Sequence, residues 1–211
     1  KIQENKSFKN YIMLIASSAL PIALVLLQPD FGTAVVYIFM FLCMLFVSGI
    51  KYRYIFGFGA AVVLLLPLLW YKVLVNVLRQ HQINRILSFL NPSAYENDSA
   101  WQVRMAIRHI GRGQLSGVGL GNGKAVYYVP AVQTDSIFAV IGEELGFIGT
   151  VAVVVLFTAL LLRCLYIARF AKDKFGSFLV IGLMAMFMFH YVENVGMNIG
   201  ILPVTGIPLP F

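Results

Sequence analysis

The stretch VPAVQTDSIFAVIGEELGFIGTVAVVVLFTALLL, Val129 to Leu162, decides the fold. From Ser136 onward it is apolar for long enough to cross a bilayer, which takes about 20 residues of helix. Yet it carries Asp135 at its mouth and Glu143 and Glu144 further in. A carboxylate inside lipid is costly unless it faces a cavity or a partner. The two glutamates are therefore expected to bond neighbouring helices.

The rest of the chain reads the same way. Of 211 residues, 60% are hydrophobic and 12% charged, and the mean hydropathy is +0.84. A soluble domain of this size has no need of so much apolar surface, which points to an all-α polytopic membrane protein, a multi-helix transmembrane bundle. Five stretches are long enough to span: 10–27, 31–50, 55–78, 136–162 and 177–201. They are continuous runs such as AAVVLLLPLLW, not the alternating strands of a membrane barrel. Pro67, inside the third run, is expected to kink it. Residues 1–211 read as one transmembrane domain, and as a fragment of a longer protein, since the chain opens without Met and stops in the loop-like GIPLPF. Cys43 and Cys164 suggest neither a disulfide framework nor a metal site, and His81, His109 and His190 have no metal-ligand spacing.

The net charge is +7. With a cytoplasmic N-terminus, Lys1, Lys6, Lys9, Lys51, Arg53, Arg163, Arg169, Lys172 and Lys174 all fall inside, nine of the 16 basic residues. The long segment 79–135 then lies outside, and Lys72 snorkels near the outer end of its helix. That outer loop carries Arg79, Arg85, Arg104, Arg108, Arg112 and Lys124 against Glu96, Asp98 and Asp135. Two accounts fit this excess: the inner charges already fix the orientation, or the loop meets an anion.

The loop is partly helical by pattern. SAWQVRMAIRHIGRG reads as a short amphipathic helix, with Ser99 as N-cap and Gly111 or Gly113 as the stop. Val103, Ile107 and Ile110 share one face, while Arg104, Arg108 and Arg112 form a basic stripe suited to a membrane surface. GRGQLSGVGLGNGK holds six glycines but lacks the Lys-Ser/Thr ending and the βαβ context of a nucleotide loop. Tight turns with backbone close to another surface are the expectation. Thr134 is a candidate N-cap, and a carboxylate at position 135 suits the first turn of the next helix. On a regular helix Glu143 stands roughly 80° around and about 12 Å along the axis from Asp135. The two cannot pair tightly, so chemistry here would fall to one carboxylate.

TDSIFAVIGEELGFIG, taken with LQPDFGTA (Leu27–Ala34), RILSFLNP (Arg85–Pro92) and NVGMNIGILPVTGIPLPF (Asn194–Phe211), resembles the SEDS family of bacterial peptidoglycan glycosyltransferases, which groups RodA, FtsW and SpoVE. The resemblance covers essentially the whole chain. It implies a ten-helix, multi-pass protein of the bacterial inner (plasma) membrane with both ends cytoplasmic, of which this chain holds the fifth to ninth helices. It further implies polymerisation of lipid II into glycan strands during cell elongation or division, beside a class B penicillin-binding protein as transpeptidase partner. Membrane lipid surrounds such a protein, and nucleic acid is no partner.

By the same resemblance Asp135 is the catalytic residue. Arg85, Gln102, Arg104, Arg108, Arg112, Lys124 and Thr134 are candidate substrate contacts, and Glu143, Glu144 and Glu193 are polar groups within the membrane. The transfer inverts an α-linked diphosphate to a β-1,4 bond. That needs one base on the attacking hydroxyl and cations on the departing diphosphate. A divalent cation such as Mg²⁺ is compatible with the resemblance, although no ligand cluster stands in the sequence. The chain departs from the family pattern at Met105-Ala106, at HIGRG and at Ala131. Rival readings are a lipid II flippase or other transporter, for which Asp135 is set too far out, and a non-catalytic scaffold, for which Asp135 would be dispensable.

Overall fold

The computed structural model describes residues 8–28, 30–49, 53, 57, 60, 64, 80–94 and 99–210. Among them the structure is helical throughout, with no strand. The expected span 55–78, with the Pro67 kink and Lys72, lies outside the described residues apart from Gly57, Ala60 and Leu64. So do Lys1, Lys6, Lys51, Arg79, Glu96 and Asp98.

The helices are α1 (Phe8–Leu27), α2 (Phe31–Val47), α3 (Gln80–Leu90), α4 (Ser99–Arg112), α5 (Ala125–Tyr128), α6 (Ile137–Arg169) and α7 (Lys174–Asn198). The last two are long and apolar enough to cross a membrane, whereas α2 and the Ala16–Leu27 part of α1 are shorter apolar helices. At 17 residues α2 rises about 25 Å, close to the thickness of a hydrocarbon core.

The chain forms two compact units, Lys1–Leu78 with Ile167–Met186 and Arg79–Tyr166 with Phe187–Phe211. In the first, α1 packs on α2. Asp30 caps α2 by accepting from Thr33 N at 3.1 Å and from Thr33 Oγ1 at 2.7 Å. Gly182 of α7 leaves room for Met44, whose sulfur stands 3.5 Å from where a Cβ would sit.

The second unit contains α3 to α5 and the site. Ala106, Ala125, Val129, Val132 and Ala139 form its core, with Met105, Ile110 and Val140 packed against them. The face that α4 buries is Ala100, Ala106 and His109, not the expected Val103–Ile107–Ile110 face. Ile107 is exposed, and its tip and Val103 meet Gly200 while Ile110 meets Gly142. Small residues and a histidine lie inward because α4 packs on backbone. Ser99 belongs to α4, and its hydroxyl meets that of Ser88 on α3 at 2.5 Å.

Helix α6 is not the regular rod expected. At Gly146 the backbone turns left-handed (φ 67°, ψ −164°). The break costs two helical bonds, from Phe147 N to Glu143 O and from Ile148 N to Glu144 O. The Gly-rich loop supplies the missing partners. Val118 N donates to Glu143 O (2.9 Å) and Gly119 N to Glu144 O (3.1 Å). Phe147 N and Ile148 N donate to Gln114 O (2.8 Å) and Leu115 O (3.1 Å). Backbone groups next to lipid must be satisfied within the protein, and here a second strand of backbone does it. Gly117 has φ +78°, and a Cβ on it would strike the Glu144 carbonyl. The close approach read from the six glycines is thus found, at the break in α6.

Candidate active site

The site forms where the α5–α6 turn meets the segment after α7. Helix α7 ends in a Schellman motif: Gly200 (φ +78°) donates to Met197 O and Ile201 N to Gly196 O. The chain then doubles back along α7. It is tied there by Asn194 Nδ2 to Ile207 O (2.9 Å) and by His190 Nδ1 to Pro208 O (3.1 Å). This return carries Thr205 and Gly206 to Asp135 and Arg85.

Asp135 lies in a turn before α6, not in its first helical turn. Thr134 N and Ser136 N both donate to Ala131 O. Thr134 Oγ1 also donates to that carbonyl, at 3.3 Å, so Thr134 does not cap α6 as expected. The Asp135 backbone carbonyl is clamped by two side-chain amides of α7, Asn194 Nδ2 at 2.9 Å and Asn198 Nδ2 at 3.0 Å. Its carboxylate is half-buried and, among the described residues, takes no hydrogen bond.

Arg85 faces the same point. Its Nη1 donates to Thr205 O at 2.8 Å. From the position a Cβ would take on Gly206, Arg85 Nη1 is 3.2 Å away and Asp135 Oδ2 3.4 Å away. Any side chain at position 206 would intrude on both groups. A base and a cation therefore share one small space, kept open by a glycine. Gln102 approaches from α4, donating to Ser136 Oγ at 3.1 Å. With Ser136 and Asn198 it lines a cavity of about 10 Å³, room for one water against the otherwise unpartnered Asn198 Oδ1.

The remaining basic candidates separate. Arg104, Arg108 and Lys124 are exposed. Arg112 leaves the expected stripe and pairs with Glu143 at 2.9 Å. Glu143 is wholly buried and also accepts from His109 Nδ1 (3.0 Å) and Ala125 N (2.6 Å). It thereby ties α6 to α4 and to the start of α5, while Tyr128 stacks on His109. Glu144 is half-buried, against Gly123. Glu193 is buried on α7, near Asp135 and Arg85. Among the described residues no three of His, Cys, Asp and Glu gather as metal ligands. The donor set does not fit a protein-held Mg²⁺, and no step is derived through one.

Sequence reasoning passed over His109, Asn194, Asn198 and Thr205. Asn194 and Asn198 stand four apart, one helical turn, inside an apolar helix, and that spacing was a usable signal. Nothing local marked His109 as the partner of Glu143, 34 positions away.

Helices of this apolarity, a backbone-plugged break and a buried Asn clamp define an all-α membrane protein with a polar site at the end of a span. The model of the cell cycle protein family that groups FtsW, RodA and SpoVE matches residues 1–211, and the chain belongs to that family. It is 37% identical over 203 residues to a probable peptidoglycan glycosyltransferase FtsW of Methylomonas methanica, covering 94% of this chain and 50% of that protein. It is 38% identical over 189 residues to the stage V sporulation protein E of Bacillus subtilis, covering 89% of this chain and 50% of that one. Among solved structures, a chain from work described as "Structural coordination of polymerization and crosslinking by a peptidoglycan synthase complex" superposes with a TM-score of 0.75 at 26% identity. It covers 96% of this chain and 55% of that chain. This chain thus spans about half the length of the relatives it matches.

Proposed function

We propose that this chain carries the catalytic centre of a lipid II polymerase, an inverting peptidoglycan glycosyltransferase. Asp135 accepts the proton of the acceptor sugar's 4-hydroxyl as that oxygen attacks the donor's anomeric carbon. The C–O bond to the lipid diphosphate breaks, and the leaving group takes the electron pair. Arg85 stands on the side where that negative charge grows, so no separate acid is needed.

The observation that carries this reading is the state of Asp135. Its backbone is held by Asn194 and Asn198, while its carboxylate takes no hydrogen bond among the described residues. A capping or structural aspartate would spend its carboxylate on the fold; this one keeps it for something else. The names of the FtsW relatives support the same activity. The structural relative, from a peptidoglycan synthase complex, supports a class B penicillin-binding protein as partner.

The test uses the full-length protein and lipid II. Asp135→Asn retains size and the clamped carbonyl but loses basicity, so it should fold normally and lose about 10²–10⁴ in polymerisation rate. Near-normal polymer from a folded Asp135→Asn protein would move the weight to a transporter or scaffold.

The proposed setting is the bacterial inner membrane, crossed several times, with Asp135 on the outer side. In a background lacking Cys43 and Cys164, a cysteine at the exposed Gln133 should react with an impermeant thiol reagent added outside, and one at Lys172 should not. The opposite pattern would turn the site to the wrong face.

A further inference from the structure

Glu193 takes part neither in the clamp nor in the chemistry above. It precedes Asn194 on α7 and is 5% exposed, and neither carboxylate oxygen makes a hydrogen bond to a described residue. Thr205 lies alongside, its hydroxyl also buried and also without a partner. The Glu193 carboxylate interacts through space with both Arg85 and Asp135. Arg85 is in turn fixed on the Thr205 carbonyl, at 2.8 Å. The guanidinium therefore has one carboxylate in front, half-buried, and one behind, sealed off. A buried carboxylate without hydrogen bonds is unfavourable unless a nearby charge compensates it. Arg85 is the cation that acts on it here.

We propose that Glu193 is the standing counter-charge of Arg85. It holds the guanidinium beside Asp135 between turnovers and competes with a diphosphate for it, so that the diphosphate is gripped loosely enough to leave. The inference rests on the reading of Arg85 as a diphosphate contact. Glu193 touches no substrate and acts as a positioning residue. Removing its charge frees Arg85 and removes a repulsion from the diphosphate. Unit charges several ångströms apart at the effective dielectric of a protein edge make that worth on the order of tenfold in affinity.

The experiment is calorimetric titration of the full-length protein with inorganic diphosphate at pH 8. Glu193→Gln should bind about tenfold more tightly than wild type, and Glu193→Asp, which keeps the charge, should bind like wild type. If Glu193→Gln does not fold, Glu193→Met offers a neutral side chain of similar size that suits a buried site, with the same tightening expected. A merely structural Glu193 would move thermal stability and leave diphosphate affinity alone. Unchanged affinity in the neutral variants, with binding lost in Arg85→Ala, overturns the counter-charge and leaves the role of Arg85 intact. Tightening in Glu193→Asp as well as in the neutral variants overturns it too, since charge would not be the cause. Wild-type affinity in Arg85→Ala overturns the diphosphate contact itself, and the counter-charge with it.

Discussion

Asn198 on α7 donates its side-chain amide to the backbone carbonyl of Asp135, 63 positions earlier, over 3.0 Å. Asn194 does the same at 2.9 Å and spends its other N–H on Ile207 O. The catalytic candidate is therefore located by its main chain. Asn194→Leu keeps the volume but leaves two carbonyls without that donor. The cost should be about 1–3 kcal/mol for a buried acceptor left short. A lower unfolding midpoint with reduced polymerisation is expected, whereas Asp135→Asn should leave the midpoint alone. Equal midpoints for Asn194→Leu and wild type would mean that the clamp does not hold the turn.

The glycines of the loop plugging α6 should not be equivalent. Gly117 combines φ +78° with a Cβ direction that runs into the Glu144 carbonyl, so Gly117→Ala must displace backbone. Gly111 lies in α4 with nothing within 4 Å. Gly111→Ala should stabilise by roughly 0.5–1 kcal/mol through helix propensity alone. Gly117→Ala should lower the unfolding midpoint clearly and speed amide exchange at Phe147 and Ile148. Protection at those two amides unchanged in Gly117→Ala would show that the loop is not what closes the break.

How much of this was legible beforehand depends on distance along the chain. The long apolar runs announced α6 and α7, and the six glycines announced close backbone approach, because both are local patterns. The break at Gly146 was not legible. GEELGFIG reads as continuous helix until the loop at 114–119 is known to replace the lost bonds. Arg104, Arg108 and Arg112 looked like one stripe at helical spacing, yet Arg112 is drawn to Glu143, 31 residues on. Thr134 looked like a cap because a helix follows it, but Ala131 O takes its hydroxyl instead. Asp135 could be named from the family phrase. Its surroundings could not, since Arg85, Asn194, Thr205 and Gly206 reach it only through tertiary folding.

Glu143 offers the sharpest test of what fixes the outer half of α6. It is fully buried and accepts from three sources, Arg112, His109 and the Ala125 backbone, so its charge is compensated by hydrogen bonds on both oxygens. Removing a carboxylate from a buried pair strands its partners, and Glu143→Ala should cost about 3–5 kcal/mol. Glu143→Gln keeps the volume and one acceptor oxygen but turns an amide N–H₂ towards donors, so it should cost less than alanine yet more than about 1 kcal/mol. Arg112 is 41% exposed, and Glu143 retains two donors without it. Arg112→Ala should therefore cost no more than about 1 kcal/mol. The expected order of unfolding midpoints in one detergent is wild type, Arg112→Ala, Glu143→Gln, Glu143→Ala. An Arg112→Ala protein as unstable as Glu143→Ala would mean that the ion pair, and not the triple acceptance by one carboxylate, joins α4 to α6.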